Sequence, residues 1–308
     1  MITILMGTYN GEKYIEEQIE SILSQTEKKW RLVIQDDCST DATPDIVKKY
    51  AENYKDKVTF IERRFSSGSA KNNFASMLKL SKSDYVLTCD QDDVWLPSKI
   101  ELTLKKMQEL ESKYGKDSPF LVHTDLIIAD AELKVIAGSM FEYQNLDSKR
   151  DSFNNLLVQN IVTGCTMMIN RSLLDCVRDV PEEAIMHDWW LAIIASAFGH
   201  VGFVNKPTLF YRQHDNNEVG AKNAKSLPYN LRRLITKKRS ELALQSTYKQ
   251  ARAFLDIYER DISLEQLEAV KVYTTIQKYG KIKRIYLTNK YGFWKTGFAR
   301  RCGQILFI

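Results

Sequence analysis

Residues 1 to 308 form a chain that is 44% apolar and 27% charged, the composition of an ordinary soluble enzyme. Its five cysteines include no Cys-x-x-Cys pair, so the sequence indicates neither a disulfide framework nor a zinc ribbon. The longest apolar stretch, near Trp189 to Phe198, is far shorter than the roughly 20 residues that a membrane span needs. These features argue against a secreted or membrane-spanning protein and predict a cytoplasmic enzyme.

The charge is distributed unevenly along the chain. Residues 221–308 contain 19 Lys and Arg against 6 Asp and Glu, a net charge of +13, so residues 1–220 carry −8 of the overall +5. Such asymmetry suggests two parts with different partners. We expect a catalytic domain over residues 1–220 and a basic, helical C-terminal extension over residues 221–308.

Apolar runs alternate with amphipathic helical patterns over the first 95 residues. The run Ile2–Met6 leads into the polar turn Gly7–Gly11 and then a helix, and the runs Leu32–Ile34 and Val58–Ile61 repeat this arrangement. Alternating strands and helices predict an α/β fold with a mostly parallel sheet and right-handed crossovers. Its polar turns would then share one edge of the sheet, where such folds bind ligands.

A fourth apolar run, Tyr85–Leu87, leads into an acidic turn that contains Asp90, Asp92 and Asp93. Carboxylates this close repel one another unless they share a cation. Hard oxygen ligands suit Mg²⁺ or Mn²⁺, which completes its shell with water and substrate phosphates. The alternative is a solvated acidic turn without a ligand.

The other polar turns offer groups suited to a nucleotide. Asp36 or Asp37 could accept the imide N–H of a pyrimidine ring, and Lys71 could meet a phosphate as a point charge. Turn and N-cap chemistry, or a surface lysine, would explain the same residues. Neither Gly-x-Gly-x-x-Gly nor Gly-x-x-x-x-Gly-Lys occurs, so the usual dinucleotide fold and the P-loop are not indicated.

Four motifs in succession resemble the signatures of family 2, the inverting, metal-dependent glycosyltransferases with the GT-A fold. They are Thr8-Tyr9-Asn10, Asp36-Asp37-Cys38-Ser39-Thr40-Asp41, Gly68 with Ala70-Lys71-Asn72, and Asp90-Gln91-Asp92-Asp93. Within the family, the forms Asp-Gln-Asp-Asp-x-Trp and Tyr-Arg-Gln-His resemble bacterial rhamnosyltransferases of surface-polysaccharide assembly. The resemblance covers residues 1 to about 220.

The resemblance implies roles for individual residues. It places a nucleotide-sugar half at about 1–95 and an acceptor half at about 96–220. Nucleotide-sugar contacts fall to Thr8, Tyr9, Asn10, Asp36, Asp37, Lys71, Asp90 and Gln91. Ligands for Mn²⁺ or Mg²⁺ would be Asp92, Asp90 and His214, the last having a hydrogen-bonded loop histidine as its alternative. Lys71 stands where the family usually has an arginine, which weakens a bidentate contact but keeps the charge.

The stretch Met186-His187-Asp188-Trp189-Trp190 resembles the family's second chemical centre. The resemblance makes Asp188 the general base and places acceptor contacts at Thr163, Gly164, His187 and Trp189. His187 replaces the family's usual Glu, so the role of that position is open. A carboxylate at a helix N-terminus could also serve as a cap or dipole partner.

The C-terminal extension interleaves cations with aromatic and aliphatic residues. Lys281, Lys283, Arg284, Lys290, Lys295, Arg300 and Arg301 alternate with Ile282, Ile285, Tyr286, Tyr291, Phe293, Trp294 and Phe298. Such a helix suits an anionic membrane surface. Nucleic acid is a competing partner, and a helical layer that covers the acidic domain is a structural alternative. We expect the membrane surface rather than nucleic acid.

Together with the motifs, the family resemblance implies transfer of a sugar from a nucleoside diphosphate donor to a saccharide acceptor, lipid-linked, in cell-surface polysaccharide synthesis. L-Rhamnose from dTDP-rhamnose is the favoured donor, with a UDP-hexose or UDP-N-acetylhexosamine as the alternative. A sugar nucleotidyltransferase would need a Gly-rich phosphate loop, which Gly7–Gly11 does not supply. A non-catalytic carbohydrate-binding module is a further alternative. The enzyme is expected in the cytoplasm, or peripherally on the inner face of the cell membrane.

Overall fold

The computed structural model describes residues 1–214 and 237–308, without the side chains of residues 237–240. The strands are β1 (Ile2–Thr8), β2 (Trp30–Asp36), β3 (Val58–Glu62), β4 (Tyr85–Cys89), β5 (Val94–Trp95), β6 (Phe120–Ala129), β7 (Val135–Ala137), β8 (Met168–Asn170) and β9 (His200–Arg212). The helices before the gap are α1 (Ile15–Leu23), α2 (Thr43–Asn53), α3 (Ala70–Leu80), α4 (Lys99–Tyr114), α5 (Met140–Gln144), α6 (Phe153–Leu156), α7 (Arg171–Cys176) and α8 (His187–Phe198). Those after it are α9 (Lys237–Tyr258), α10 (Leu264–Thr275), α11 (Lys281–Tyr291) and α12 (Phe298–Phe307).

Within the described residues the strands form one sheet in the order β3-β2-β1-β4-β8-β6-β9-β5, with β7 paired to β6. The first four strands are parallel, as the sequence predicts. The second half of the sheet is mixed, because β8 runs antiparallel to both β4 and β6 while β6 and β9 are parallel. The result is the mixed α/β sheet of the GT-A fold.

Both faces of the sheet are covered by helices. Strand β1 is buried nearly throughout, as expected of a parallel strand with helices above and below. One hydrophobic cluster joins the sheet to α1, α2 and α4, and the other joins it to α3, α6, α7 and α8. The parallel strands therefore end together at one protected edge.

The C-terminal helices α9 and α10 belong to the second of these clusters. Phe254 and Tyr258 lie on α9, with ring centroids 6.1 and 6.4 Å from that of Trp190 on α8. Tyr273 on α10 is also fully buried. The extension thus shares a core with the acceptor side of the sheet. The expected boundary between residues 220 and 221 lies outside the described residues.

None of the helices in the described part of the chain combines the length and apolar character needed to cross a bilayer.

A tight junction between β6 and β9 yields a stability prediction. A Cβ atom at Gly199 would lie 1.8 Å from the carbonyl oxygen of Pro119, a backbone atom that cannot move aside easily. We expect Gly199→Ala to lower the free energy of unfolding by about 1–3 kcal/mol, as overpacking does. Gly138→Ala is the matched control, because a Cβ there meets nothing within 4 Å. Equal melting temperatures for both variants would contradict this packing.

Candidate active site

The carboxyl ends of β1, β2 and β4 open into a cavity of about 800 Å³. Its far wall consists of residues 160–164 and the N-terminus of α8. The predicted site residues that line it are Thr8, Tyr9, Asp37, Asp90, Gln91, Asp92, Thr163, Gly164, His187, Asp188 and Trp189. Residues from the nucleotide-sugar half and from the acceptor half, which are far apart in the sequence, therefore meet in one crevice.

Gln91 connects the turn after β1 to the acidic turn. Its side-chain amide accepts a hydrogen bond from the backbone N–H of Tyr9 and donates one to the Tyr9 carbonyl, both at 2.9 Å. A Cβ atom at Gly11 would lie 2.2 Å from Gln91 Oε1, so a larger residue there would displace the Gln91 amide from these bonds. The Gln91 amide is thus already engaged with the backbone.

Asp36 lies behind the cavity wall and is almost completely buried. Its carboxylate accepts hydrogen bonds from Thr8 Oγ1 at 2.9 Å and from the backbone N–H of Ser39 at 2.8 Å. Asn10, in the left-handed conformation with φ of 49°, accepts a bond from the backbone N–H of Thr40 at 2.8 Å. These two predicted nucleotide contacts hold the turns together and are absent from the cavity lining.

Asp37 lines the cavity, and both of its carboxylate oxygens have partners within the chain. Oδ1 accepts from the backbone N–H of Ser67 at 2.6 Å and lies 3.2 Å from Arg63 Nε. Oδ2 accepts from the hydroxyls of Ser66 and Ser67 at 3.0 and 2.9 Å. An ionised carboxylate has about four acceptor positions, so all are occupied by this loop.

Lys71 points away from the cavity. Its ammonium group donates to the carbonyl oxygens of Glu182 and Ala184, at 2.7 and 2.9 Å. It therefore fastens α3 to the loop that precedes α8, and it is absent from the cavity lining. A phosphate contact by Lys71 would require the side chain to leave these carbonyls.

The acidic turn combines partly buried and fully buried carboxylates. Asp90 and Asp92 line the cavity, whereas Asp93 is fully buried and, in the described part of the chain, its Oδ2 has no hydrogen-bond partner. Burial, together with the charges of Asp92 and Asp90, raises the pKa of Asp93 well above its usual value. His214 Nε2 lies 2.8 Å from Asp92 Oδ2. Carboxylate oxygens beside an imidazole fit Mn²⁺ or Mg²⁺, and the repulsion within the turn gives a cation a reason to bind.

Arg212 fixes the acidic turn, a role that the sequence analysis missed. Its buried guanidinium donates to the Asp92 carbonyl at 2.8 Å and forms an ion pair with Glu17. Its backbone N–H donates to Asp93 Oδ1 at 3.3 Å. The sequence does offer a sign of this role, because Arg212 directly follows an apolar strand pattern and lies within the Tyr-Arg-Gln-His motif.

Lys99, at the first position of α4, is a second missed residue. It is completely buried, with its ammonium 4.7 Å from the ring centroid of Trp95 and 3.4 Å from Thr208 Oγ1. Burial lowers the pKa of Lys99 to about 8, although the nearby carboxyl of Asp93 opposes the shift. The side chain supplies positive charge beneath the acidic turn. Its helix-starting position gave no sign of this burial.

Asp188 faces the cavity from the first turn of α8. It is buried, and its Oδ1 accepts the backbone N–H of Trp189 at 2.5 Å. Burial raises the pKa of Asp188 to about 6, while bonds from the N–H groups of Trp189 and Gly164 and from the Asn160 side chain limit the rise. The helix cap itself is Met186. Asp188 is thus a carboxylate that is ionised at neutral pH yet more basic than an ordinary aspartate.

His187 has a different environment from that of its neighbour. Its ring stacks on Phe74 with centroids 4.3 Å apart, and among the described residues neither ring nitrogen has a hydrogen-bond partner. Burial lowers the pKa of His187 to about 3, so the ring is neutral and a much weaker base than Asp188. A Cβ atom at Gly164 would lie 3.1 Å from His187 Nε2, so a side chain there would press on the imidazole ring.

The sheet places the acidic turn and the carboxylate of Asp188 in one crevice, the arrangement that the family resemblance implies for a glycosyltransferase. Comparison with known families supports this, because the model of Glycosyl transferase family 2 matches residues 3–178. The chain therefore belongs to glycosyl transferase family 2.

Relatives and a solved structure agree with this assignment. The dTDP-rhamnosyl transferase RfbG of Shigella flexneri is 30% identical over 229 residues, covering 70% of this chain and 74% of that protein. WfaP of Escherichia coli, a UDP-Glc:alpha-D-GlcNAc-diphosphoundecaprenol beta-1,3-glucosyltransferase, is 29% identical over 164 residues, covering 52% and 63%. The mannosyltransferase PcManGT from Pyrobaculum calidifontis, in complex with GDP-Man and Mn²⁺, has the same fold, with a TM-score of 0.53, 16% identity and coverage of 94% and 84%.

The raised pKa of Asp188 predicts the pH dependence of transfer. If Asp188 is the general base, it must be deprotonated for transfer, so kcat should rise with pH, reach half its maximum near the pKa of about 6 and level off above it. Asp188→Asn keeps the shape of the side chain but removes the base, so kcat should fall by about 10²- to 10⁴-fold. An unchanged profile in Asp188→Asn would show that another group accepts the proton.

Proposed function

We propose that this family 2 enzyme transfers L-rhamnose from dTDP-rhamnose to a saccharide acceptor in cell-surface polysaccharide synthesis, with inversion at the anomeric carbon. The observation that carries the proposal is that one cavity contains both the clustered carboxylates of the acidic turn, suited to a cation, and the single buried carboxylate of Asp188, suited to accepting a proton. The similarity to RfbG supports the choice of donor.

The donor half binds the nucleoside diphosphate. Asp90, Asp92 and His214 would hold Mn²⁺ or Mg²⁺, which, when bound, neutralises the diphosphate and assists its departure. Asp37 receives the imide N–H of the pyrimidine at its carboxylate. Because the acceptor positions of Asp37 are occupied, a hydroxyl of Ser66 or Ser67 must turn away when the base arrives. These hydroxyls rotate freely, so the exchange needs no backbone movement.

The acceptor half supplies the base. Inversion requires the acceptor hydroxyl to attack the face of the sugar opposite the leaving diphosphate, and to lose its proton as it attacks. Asp188 takes that proton, and Thr163, Gly164 and Trp189 bound the acceptor position beside it. The neutral ring of His187 lines the cavity beside Asp188, where it contributes to the shape of the acceptor site and does not accept the proton.

A UDP-hexose or UDP-N-acetylhexosamine donor is the second candidate. The similarity to WfaP, whose name specifies UDP-Glc, favours it. A diphosphate-binding crevice of this kind would serve either nucleotide. Family membership removes the nucleotidyltransferase and the non-catalytic module from consideration.

A thermal-shift screen separates these donors. With Mn²⁺ present, dTDP-rhamnose should raise the melting temperature more than UDP-glucose, UDP-galactose or UDP-N-acetylglucosamine, since a ligand at 100 times its Kd adds about 2.7 kcal/mol. Asp92→Asn should lose the part of the shift that depends on Mn²⁺, whereas Asp188→Asn should keep it. A larger shift with a UDP-sugar would replace the rhamnose donor and leave the family intact.

The C-terminal helices bind an anionic membrane surface, where a lipid-linked acceptor is found. Ile282 and Tyr286, one turn apart on α11, are 87% and 64% exposed, and Phe298 on α12 is 84% exposed. Lys283 and Lys290 on α11 are also exposed. Large exposed apolar side chains beside cations suit the interface of an anionic bilayer.

Vesicle binding tests this surface. Truncation is unsuitable because Phe293 is fully buried, so we choose Ile282→Ser with Tyr286→Ser. Binding to phosphatidylglycerol-containing vesicles should weaken about 10-fold and should weaken further with added salt. Leu264→Ser is the matched control, since Leu264 on α10 is 85% exposed. Equal binding by both variants would place the lipid contact elsewhere or nowhere.

A further inference from the structure

Tyr14 stands immediately before α1 and contacts both of the residues that reach Asp92 from the end of β9. Its ring stacks on that of His214, with centroids 5.0 Å apart and planes inclined by 26°. The guanidinium carbon of Arg212 lies 4.6 Å from the centroid of the same ring, within the reach of a cation–π contact. Tyr14 belongs to none of the four sequence motifs and is absent from the cavity lining.

Both contacts of Tyr14 lead directly to Asp92. The guanidinium of Arg212 donates to the Asp92 carbonyl at 2.8 Å, and His214 Nε2 lies 2.8 Å from Asp92 Oδ2. An octahedral Mg²⁺ ion with ligands at about 2.1 Å requires neighbouring ligand atoms to lie about 3 Å apart. The separation of the His214 nitrogen from the Asp92 oxygen thus suits two ligands of one cation.

Helix α1 gives Tyr14 a fixed position. The backbone N–H of Tyr14 donates to the Gly11 carbonyl at 3.0 Å. The helix that follows is anchored in the core by residues such as Ile19, which is completely buried. Glu17 on the same helix forms the ion pair with Arg212. The end of β9 is therefore held against the start of α1 by a ring stack, a cation–π contact and an ion pair.

We propose that Tyr14 is a positioning residue for the metal ligands, because its ring holds the imidazole of His214 beside the carboxylate of Asp92. The inference rests on the proposed roles of Asp92 and His214 as ligands of Mn²⁺ or Mg²⁺. His214 lies beyond the last residue of β9, so strand pairing does not itself fix its ring. Groups that orient a metal ligand without touching the metal typically contribute about 10- to 100-fold in metal affinity.

The test compares three single variants of the full chain. Tyr14→Leu removes the ring on which His214 stacks, whereas Tyr14→Phe keeps the ring and removes only the hydroxyl. Tyr114→Leu is the matched control, because Tyr114 also stacks on a histidine, His200, with centroids 3.7 Å apart. The ammonium of Lys113 lies 4.8 Å from the centroid of that ring, and both Tyr114 and His200 are absent from the cavity lining.

Mn²⁺ alone, titrated by electron paramagnetic resonance, is the probe. Tyr14→Leu should weaken Mn²⁺ binding about 10-fold, because an imidazole that is free to turn loses its orientation toward the cation. Tyr14→Phe and Tyr114→Leu should bind Mn²⁺ as the unaltered protein does. If Tyr14 contributes packing alone, Tyr14→Leu and Tyr114→Leu will both lower the melting temperature and leave Mn²⁺ affinity unchanged, a result that would overturn the proposal.

Histidine NMR reads the position of the imidazole without any metal. The chain has four histidines, so the signals of isotope-labelled imidazoles can be resolved, and His214→Gln identifies the signal of His214. The ring current of Tyr14 should shift this signal in the unaltered protein and in Tyr14→Phe, and the shift should vanish in Tyr14→Leu. A His214 signal that Tyr14→Leu leaves in place contradicts the stack.

Asp92→Asn separates a failure of this inference from a failure of the proposed metal site. Equal Mn²⁺ binding by the unaltered protein and Asp92→Asn would refute the proposed metal ligands and the role of Tyr14 together. Weaker binding by Asp92→Asn, with unchanged binding by Tyr14→Leu, would overturn the role of Tyr14 alone.

Discussion

The burial of Arg212 against the acidic turn is the interaction on which the site depends. The turn must hold Asp90 and Asp92 at the cavity while Asp93 points inward, an arrangement that like charges resist. Arg212 supplies positive charge and backbone bonds at that point, and it arrives at the end of β9, a strand that is remote in sequence. Removing one partner of such a buried network costs more than a surface pair, because the remaining charge loses its compensation. The pairing of β9 with β6 in the mixed half of the sheet is what brings Arg212 to the acidic turn.

The two ends of the cavity differ in the environment that surrounds their carboxylates. At the acidic turn Asp90 and Asp92 lie close together at the cavity, so the site is suited to attracting a cation even though the buried Lys99 offsets part of their charge. At α8 a single carboxylate, Asp188, is desolvated and held by N–H groups, so its pKa rises only to about 6. Environments that separate the behaviour of similar groups are how one crevice can both bind a diphosphate and accept a proton. The family assignment gives the reaction class, and the roles that we propose for the two ends of the cavity rest on this difference.

The sequence predicted what local patterns can encode. Strand ends, the acidic turn and Asp188 follow from periodicity and from motif order, and the structure brings them to one edge. The direction of the Lys71 side chain could not be predicted, because its carbonyl partners are more than 100 residues away. The hydrogen bonds between Gln159 and Thr296 could not be predicted either, because Thr296 lies in the C-terminal extension, whose sequence pattern indicates only basic, amphipathic helices. Long-range partners decide such details, whereas periodicity reports only which face of an element is buried.

The anomeric configuration of the product tests the central claim most directly, namely that the base and the leaving diphosphate lie on opposite sides of the transferred sugar. A donor of defined anomeric configuration would be turned over with a short soluble acceptor, and the one-bond carbon–hydrogen coupling at the anomeric carbon of the product would be measured by NMR. The opposed placement of Asp188 and the acidic turn predicts an inverted configuration. Retention would require an enzyme nucleophile on the sugar face opposite the diphosphate, where we place the acceptor hydroxyl and Asp188. That result would contradict the proposed arrangement.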